Sequence, residues 1–191
     1  WIAMEFVEGR DLRGVWERAG QLPAAEVAQL LAQAAEGLAH VHERGLVHRD
    51  IKPDNILVRR ADRHVFLTDL GVVRTLDASR LTAEGTMIGT LGFMAPEQVG
   101  GEPDVGPPAD VWALGAVLYR GLCGENPFVG ANELMLSARI MEGAPAHPLE
   151  LDPTIPADLA AITLACLQVE PGLRPTATEV AVALRSRKVP D

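Results

Sequence analysis

"HRDIKPDN", His48 to Asn55, packs two cations, two carboxylates, a proline and an amide around a single aliphatic residue, Ile51. An apolar "ILV", Ile56 to Val58, follows at once. A surface turn can carry such a mixture by chance. A site that gathers charge for a purpose requires it, and the sequence on either side separates the two readings.

The stretch lies between a helix and a strand. Upstream, Val27, Leu30, Leu31, Ala34, Leu38 and Val41 recur at helical spacing. Pro23 suits the first turn of that helix and Gly45 its end. Downstream, "NILV" up to Val58 and "VFLT" from Val65 flank the polar "RRADRH", as two short strands would. Nearer the N-terminus, "WIAMEFVEG" is apolar and β-branched and predicts a strand. "EGRDL" then turns the chain into a short helix near Asp11 to Arg18. From Asp69 to Glu97 the sequence is loop-like, and a loop of that length in a compact domain is usually functional. Helices are predicted near Ala109–Cys123, Asn132–Met141, Ala157–Gln168 and Thr176–Arg187, separated by proline-rich joints. The fold class is therefore α+β, mostly helical, with a small β element.

Composition sets bounds. The 191 residues are 48% hydrophobic and 23% charged, ordinary for one globular domain with a real core. A net charge of −9 argues against nucleic acid as a partner, because phosphate backbones need a basic face. Cys123 and Cys166 lie in apolar helical surroundings and read as reduced core thiols. "VWALGAVLY", Val111 to Tyr119, ends at Arg120, short of the ~18 residues of a spanning helix. It reads as a buried helix. The chain opens at Trp1, inside the expected strand, so a fragment of a longer protein is expected. The polar "RSRKVPD" at the other end reads as the approach to a linker, taken to begin at residue 188.

Two hairpin strands would bring Asn55 close to Asp69 of "TDLG". An amide oxygen and a carboxylate at a strand mouth are hard ligands suited to Mg²⁺. Asp50, on the preceding loop, could take a proton from an incoming hydroxyl. Lys52 could neutralise a transferring phosphoryl group.

"HRDIKPDN", "DLG", "GTLGFMAPE", "DVWALGAVLY", "NPF" and "RPT" occur in this order. Together they resemble the C-terminal lobe of a eukaryotic-type bacterial Ser/Thr protein kinase. The resemblance covers essentially the whole chain. It implies a kinase domain over 1–187, hinge and C-lobe only, with the β element at the active-site mouth. It also implies ATP and Mg²⁺ as cofactors and a Ser/Thr-bearing protein as substrate. Asp50 would be the base and Lys52 would touch the γ-phosphate. Asn55 and Asp69 would hold the magnesium ions. Glu5 and Val7 would offer hinge backbone to adenine, with Met4 behind and Leu57 as its floor. Asp11 would meet the ribose, or else cap its short helix. Arg174 would pair with Glu97, and Asp110 would hold the catalytic-loop backbone. His48 reads as a satisfied core histidine, and Thr90 would face Asp50 and Lys52.

Two positions depart from the family pattern. Leu70 replaces a commoner Phe and is expected to fill the same apolar slot. Leu91 replaces a commoner Pro or Ala after "GT". The Gly-rich loop, the strand lysine and its partner glutamate are expected upstream of Trp1, so these residues by themselves are expected to lack kinase activity. The resemblance also implies a cytoplasmic domain, a homodimer for autophosphorylation and membrane anchoring only through segments outside these residues. Arg49 would await a phosphate on the long loop at Thr82 or Thr86, with Arg74 beside it. The alternative function is a pseudokinase serving as a binding or scaffold module, and the upstream lysine would separate the two. A small-molecule phosphotransferase fits less well, because the loop ending at Ala95-Pro96-Glu97 builds a protein-substrate platform.

Overall fold

The computed structural model describes residues 5–70 and 90–185. Met4, Arg74, Thr82, Thr86 and the linker expected from residue 188 lie outside them. Three short strands, β1 (Gly9–Asp11), β2 (Ile56–Arg59) and β3 (Val65–Leu67), form an antiparallel sheet in sequence order. The helices are α1 (Leu12–Ala19), α2 (Ala24–His42), α3 (Pro96–Val99), α4 (Pro107–Cys123), α5 (Glu133–Glu142), α6 (Pro148–Leu151), α7 (Ala157–Cys166) and α8 (Ala177–Arg185). Single 3₁₀ turns occur at Pro53–Asn55 and Pro171–Leu173.

α4 is the centre of the body. Every residue from Ala109 to Tyr119 is buried, so the helix is enclosed on all sides, as its apolar run requires. α2 lies against it with Val27, Leu30, Leu31, Ala34 and Leu38 of the predicted apolar face buried, and Val41, the last of that face, half-buried. α8 covers α2, and α7 packs on α4. Trp112 of α4 stacks on Phe128 with ring centroids 5.5 Å apart. None of the helices is long and apolar enough to cross a membrane, among the described residues.

α4 and α7 approach closely at Gly115. A Cβ there would lie 2.5 Å from Cys166 Cβ. Gly115→Ala must push the helices apart, at an expected cost of about 1–3 kcal/mol from overpacking. A lowered denaturant midpoint at unchanged slope checks this. Both cysteines are free thiols, as expected. Burial pushes the Cys166 thiol up to about 12 and the Cys123 thiol up to about 11.

The opening strand differs from its prediction. Glu5 to Val7 carry no strand, and β1 forms inside the "EGRDL" segment read as a turn. The reason is partner availability. β2 ends at Arg59, which faces Gly9, and a strand needs an opposite ladder to satisfy its backbone. Gly9 suits the crossing, since a Cβ there would lie 2.2 Å from the Val58 carbonyl oxygen. α2 ends at His42, three residues before Gly45, which adopts positive φ in the following turn. The two four-residue helices α3 and α6 were not predicted, because four residues show no periodicity.

Candidate active site

The polar stretch is held from below by one buried carboxylate. Asp110, in the first turn of α4, is 1% exposed. Its Oδ2 accepts from His48 N at 2.8 Å and its Oδ1 from Arg49 N at 2.7 Å. His42 Nε2, at the end of α2, is 2.8 Å from Oδ2. The backbone role predicted for Asp110 is present in this geometry. The His42 contact was not foreseen, since nothing in the sequence relates positions 42 and 110. Arg49, thus gripped, has φ +65°, and Asp69 has φ +56°. Non-glycine residues rarely adopt this region, and two of the three described cases fall in these two loops.

Above Asp110 the side chains converge. Lys52 Nζ donates to Asp50 Oδ2 at 2.9 Å. Asn55 Nδ2 donates to the Asp50 carbonyl at 2.7 Å and to Asp50 Oδ2 at 3.1 Å. Asn55 is buried; it ends the 3₁₀ turn and immediately precedes β2. Its carbonyl accepts from Thr68 N at 3.0 Å, which extends the β2–β3 ladder by one step. Asp69 follows directly, exposed, where the chain leaves the sheet. The hairpin therefore brings the Asn55 and Asp69 segments together as predicted. Thr90 and Asp50 line one small cavity of about 10 Å³.

Asn55 turns its amide nitrogen to Asp50 by two hydrogen bonds, so its oxygen points away from that loop. With the Asp69 carboxylate it supplies hard oxygen donors of the kind Mg²⁺ takes. The residues present fit that ion.

The residues expected to meet the nucleotide are less gathered. Leu57 lies on β2 between Asp11 and Phe66 in the register. It is half-buried, on the face opposite the buried Ile56 and Val58. Asp11 Oδ1 accepts from Gly14 N at 2.7 Å and caps α1. Glu5 is exposed and Val7 half-buried, both ahead of β1. Leu70 departs from expectation. It is 42% exposed and is not packed against the core. It follows the sheet's last bond at Thr68, where the chain has left the apolar interior. Leu91, by contrast, packs against the core.

His48 is buried, with Nε2 2.9 Å from the Thr68 carbonyl, but its Nδ1 has no hydrogen-bond partner among the described residues. The expectation of a fully satisfied ring holds for one nitrogen only. The sequence reading also missed two fastenings. Arg13 of α1 donates to both Asp54 carboxylate oxygens at 2.8 Å, joining α1 to the turn that carries Asn55. That hydrogen-bonded guanidinium holds the Asp54 carboxyl below the usual range. Gln98 of α3 donates to the Arg49 carbonyl at 3.1 Å, and its Oε1 accepts from Ala95 N at 3.1 Å. Arg49 itself donates to the Val105 carbonyl at 3.3 Å.

Arg174 and Glu97 form the predicted pair, Nη1–Oε1 at 2.6 Å and Nη2–Oε2 at 2.8 Å. This fork ties α3, which closes the loop from the site, to the C-terminal helices.

The family model for the protein kinase domain matches residues 1–183. The chain belongs to the protein kinase domain family. It is 40% identical over 184 residues to a probable serine/threonine-protein kinase, PkwA, of Thermomonospora curvata, covering 96% of this chain and 24% of that protein. It is 38% identical to the serine/threonine-protein kinase PknA of Mycobacterium tuberculosis, over 86% of this chain and 38% of that protein. Among solved structures, the Rad53 kinase domain and SCD2 in complex with AMPPNP matches with a TM-score of 0.74 and 29% identity. That match covers 93% of this chain and 65% of the other. The chain thus spans about a quarter to two fifths of the length of these curated relatives.

Proposed function

We propose that the protein transfers the γ-phosphoryl group of Mg-ATP to Ser or Thr hydroxyls of protein substrates. In this reading the 191 residues supply the hinge and helical lobe. The convergence of Asp50, Lys52 and Asn55 beside Asp69 carries it. Asp50 accepts the hydroxyl proton as the substrate oxygen bonds to the γ-phosphorus. The bond from that phosphorus to the β-phosphate oxygen breaks, and ADP leaves. Lys52, already within 2.9 Å of Asp50, places a positive charge where the phosphoryl group passes. Asn55 and Asp69 hold Mg²⁺, which offsets phosphate charge when bound. Glu5 and Val7 offer backbone groups to adenine, and Leu57 floors it. Asp11 serves the ribose with the carboxylate oxygen that does not cap α1. The pseudokinase alternative has less support, since the lobe carries all four of Asp50, Lys52, Asn55 and Asp69.

The finer reading is a cytoplasmic kinase domain that autophosphorylates as a homodimer, with Thr82 or Thr86 as acceptors, and any membrane anchor lies outside these residues. The test is phosphate transfer from labelled Mg-ATP by the full-length protein to peptides offering Ser, Thr or Tyr. Phosphoserine and phosphothreonine are expected, with all transfer lost on chelation of Mg²⁺. Absence of transfer at intact ATP binding would favour the pseudokinase. Residues 1–191 made alone are expected to be inactive, because phosphoryl transfer requires the phosphates to be held from both sides.

A further inference from the structure

The chain carries a net charge of −9, yet one groove beside the sheet is strongly basic. A cavity of about 700 Å³ is lined by Arg10, Arg18, Arg59, Arg60 and Arg63, with Glu8 as its one carboxylate. The arginines come from separate elements: Arg10 from β1, Arg18 from the last turn of α1, and the other three from β2 and the turn after it. Val15, Ala19 and the buried Val58 supply an apolar lining.

Two of the five guanidinium groups are already partnered. Arg59 forks onto Asp62 at 2.8 and 2.7 Å, and Arg63 pairs with Glu26. The exposed side chains of Arg10, Arg18 and Arg60 have no hydrogen-bond or ion-pair partner among the described residues. Three arginines converging on one concavity repel one another unless an anion joins them. Each presents a planar fork that matches a carboxylate.

We propose that this groove docks an acidic, Asp/Glu-bearing segment of a protein substrate, away from Asp50. The inference rests on the kinase reading above. Shape favours an extended peptide over a free anion. Arg63 also lines a second cavity of about 680 Å³ with Leu30, Leu184, Glu26 and Asp62, the two carboxylates being taken up by Arg63 and Arg59, so an extended segment finds room beside the arginines. Charge favours a short segment over a duplex or a bilayer. A long polyanion meets the negative charge of the whole chain, whereas a short segment inside the groove meets the local arginines.

The first measurement is fluorescence anisotropy of a labelled peptide of alternating Glu, Asp and Leu with the full-length protein. Binding is expected, and it should weaken about tenfold or more in an Arg10→Glu/Arg18→Glu/Arg60→Glu variant. It should also fall as salt rises from about 0.05 to about 0.5 M. No binding, or unchanged binding in the variant, overturns the proposal. So does displacement of the peptide by duplex DNA or phosphatidylserine vesicles as readily as by unlabelled peptide.

The second measurement compares one Ser acceptor peptide with and without the acidic segment joined by a flexible linker. The acidic form should show a KM about tenfold lower in the parent protein, and no advantage in the variant. The variant should keep the parent kcat on the plain peptide, since all three arginines lie outside the catalytic loop. An advantage that survives in the variant overturns the docking role. Absence of turnover on every peptide would instead sink the kinase reading, and the anisotropy result would still decide the groove.

Discussion

Asp50→Asn in the full-length protein is expected to lower kcat by roughly 10²–10⁴-fold, the usual worth of a positioned base. ATP affinity should stay nearly unchanged. The substitution keeps the shape of the loop, because an amide oxygen can still accept from Lys52 and Asn55, which now meet Asp50 Oδ2 at 2.9 and 3.1 Å. What it removes is basicity toward the substrate hydroxyl. Asp69→Asn removes charge from the other side of the site. Asp69 is exposed beyond the end of the sheet, and in the proposed reading it meets the metal-bound nucleotide. Its replacement should abolish magnesium-dependent turnover and weaken Mg-ATP binding. Isothermal titration with a non-hydrolysable ATP analogue, beside steady-state kinetics, separates the two. Equal loss of nucleotide affinity in both variants would reverse the roles assigned to these carboxylates.

Arg174→Ala is expected to give the largest loss of stability, about 3–5 kcal/mol, the typical cost of removing one partner from a buried ion pair. The Arg174 side chain is 0% exposed. Besides its fork to Glu97 it donates to three carbonyls, those of Gln168 at 2.7 Å, Pro108 at 3.0 Å and Val169 at 2.8 Å. Its guanidinium also lies 5.0 Å from the Trp112 ring centroid. Alanine leaves the buried Glu97 carboxylate uncompensated and those carbonyls without this donor. Lysine should rescue only part of the loss, since it carries the charge without the planar fork. The exposed pair Arg59–Asp62 is the control, with little or no expected effect on stability. Denaturant midpoints rank the three variants. An Arg174→Ala loss no larger than that of the surface pair would show that the fork does not hold α3 to the helical body.

The parts of the molecule that could be read directly were those written in local patterns. The face of α2, the enclosed α4 and the hairpin around residues 59–64 follow from spacing and β-branched runs, because burial of apolar side chains imposes a period on the sequence. Asp50, Lys52, Asn55 and Asp69 stood out for a different reason. They lie in the "HRDIKPDN" and "DLG" motifs that carry the family resemblance, and the roles given to them rest on that resemblance.

The remaining features depend on pairing between distant segments. β1 could not be placed, because which residues become a strand depends on where β2 ends. Asp11 could be a cap or a ligand on sequence grounds, and its bond to Gly14 N is decided by how α1 enters. Leu70 looked apolar and therefore buried, yet it lies past the last sheet bond and is exposed. His42 on Asp110, Arg13 on Asp54 and Gln98 on Arg49 join positions 41 to 68 residues apart. Such polar contacts have no period and leave no pattern along the chain. The same holds for the basic groove. Five arginines scattered from position 10 to position 63 in an acidic chain carry no pattern along the sequence, and only β1, α1 and the β2–β3 turn bring them around one cavity. Local propensity and apolar period shape each element, but charges and hydrogen bonds acquire meaning only at distances that packing alone sets.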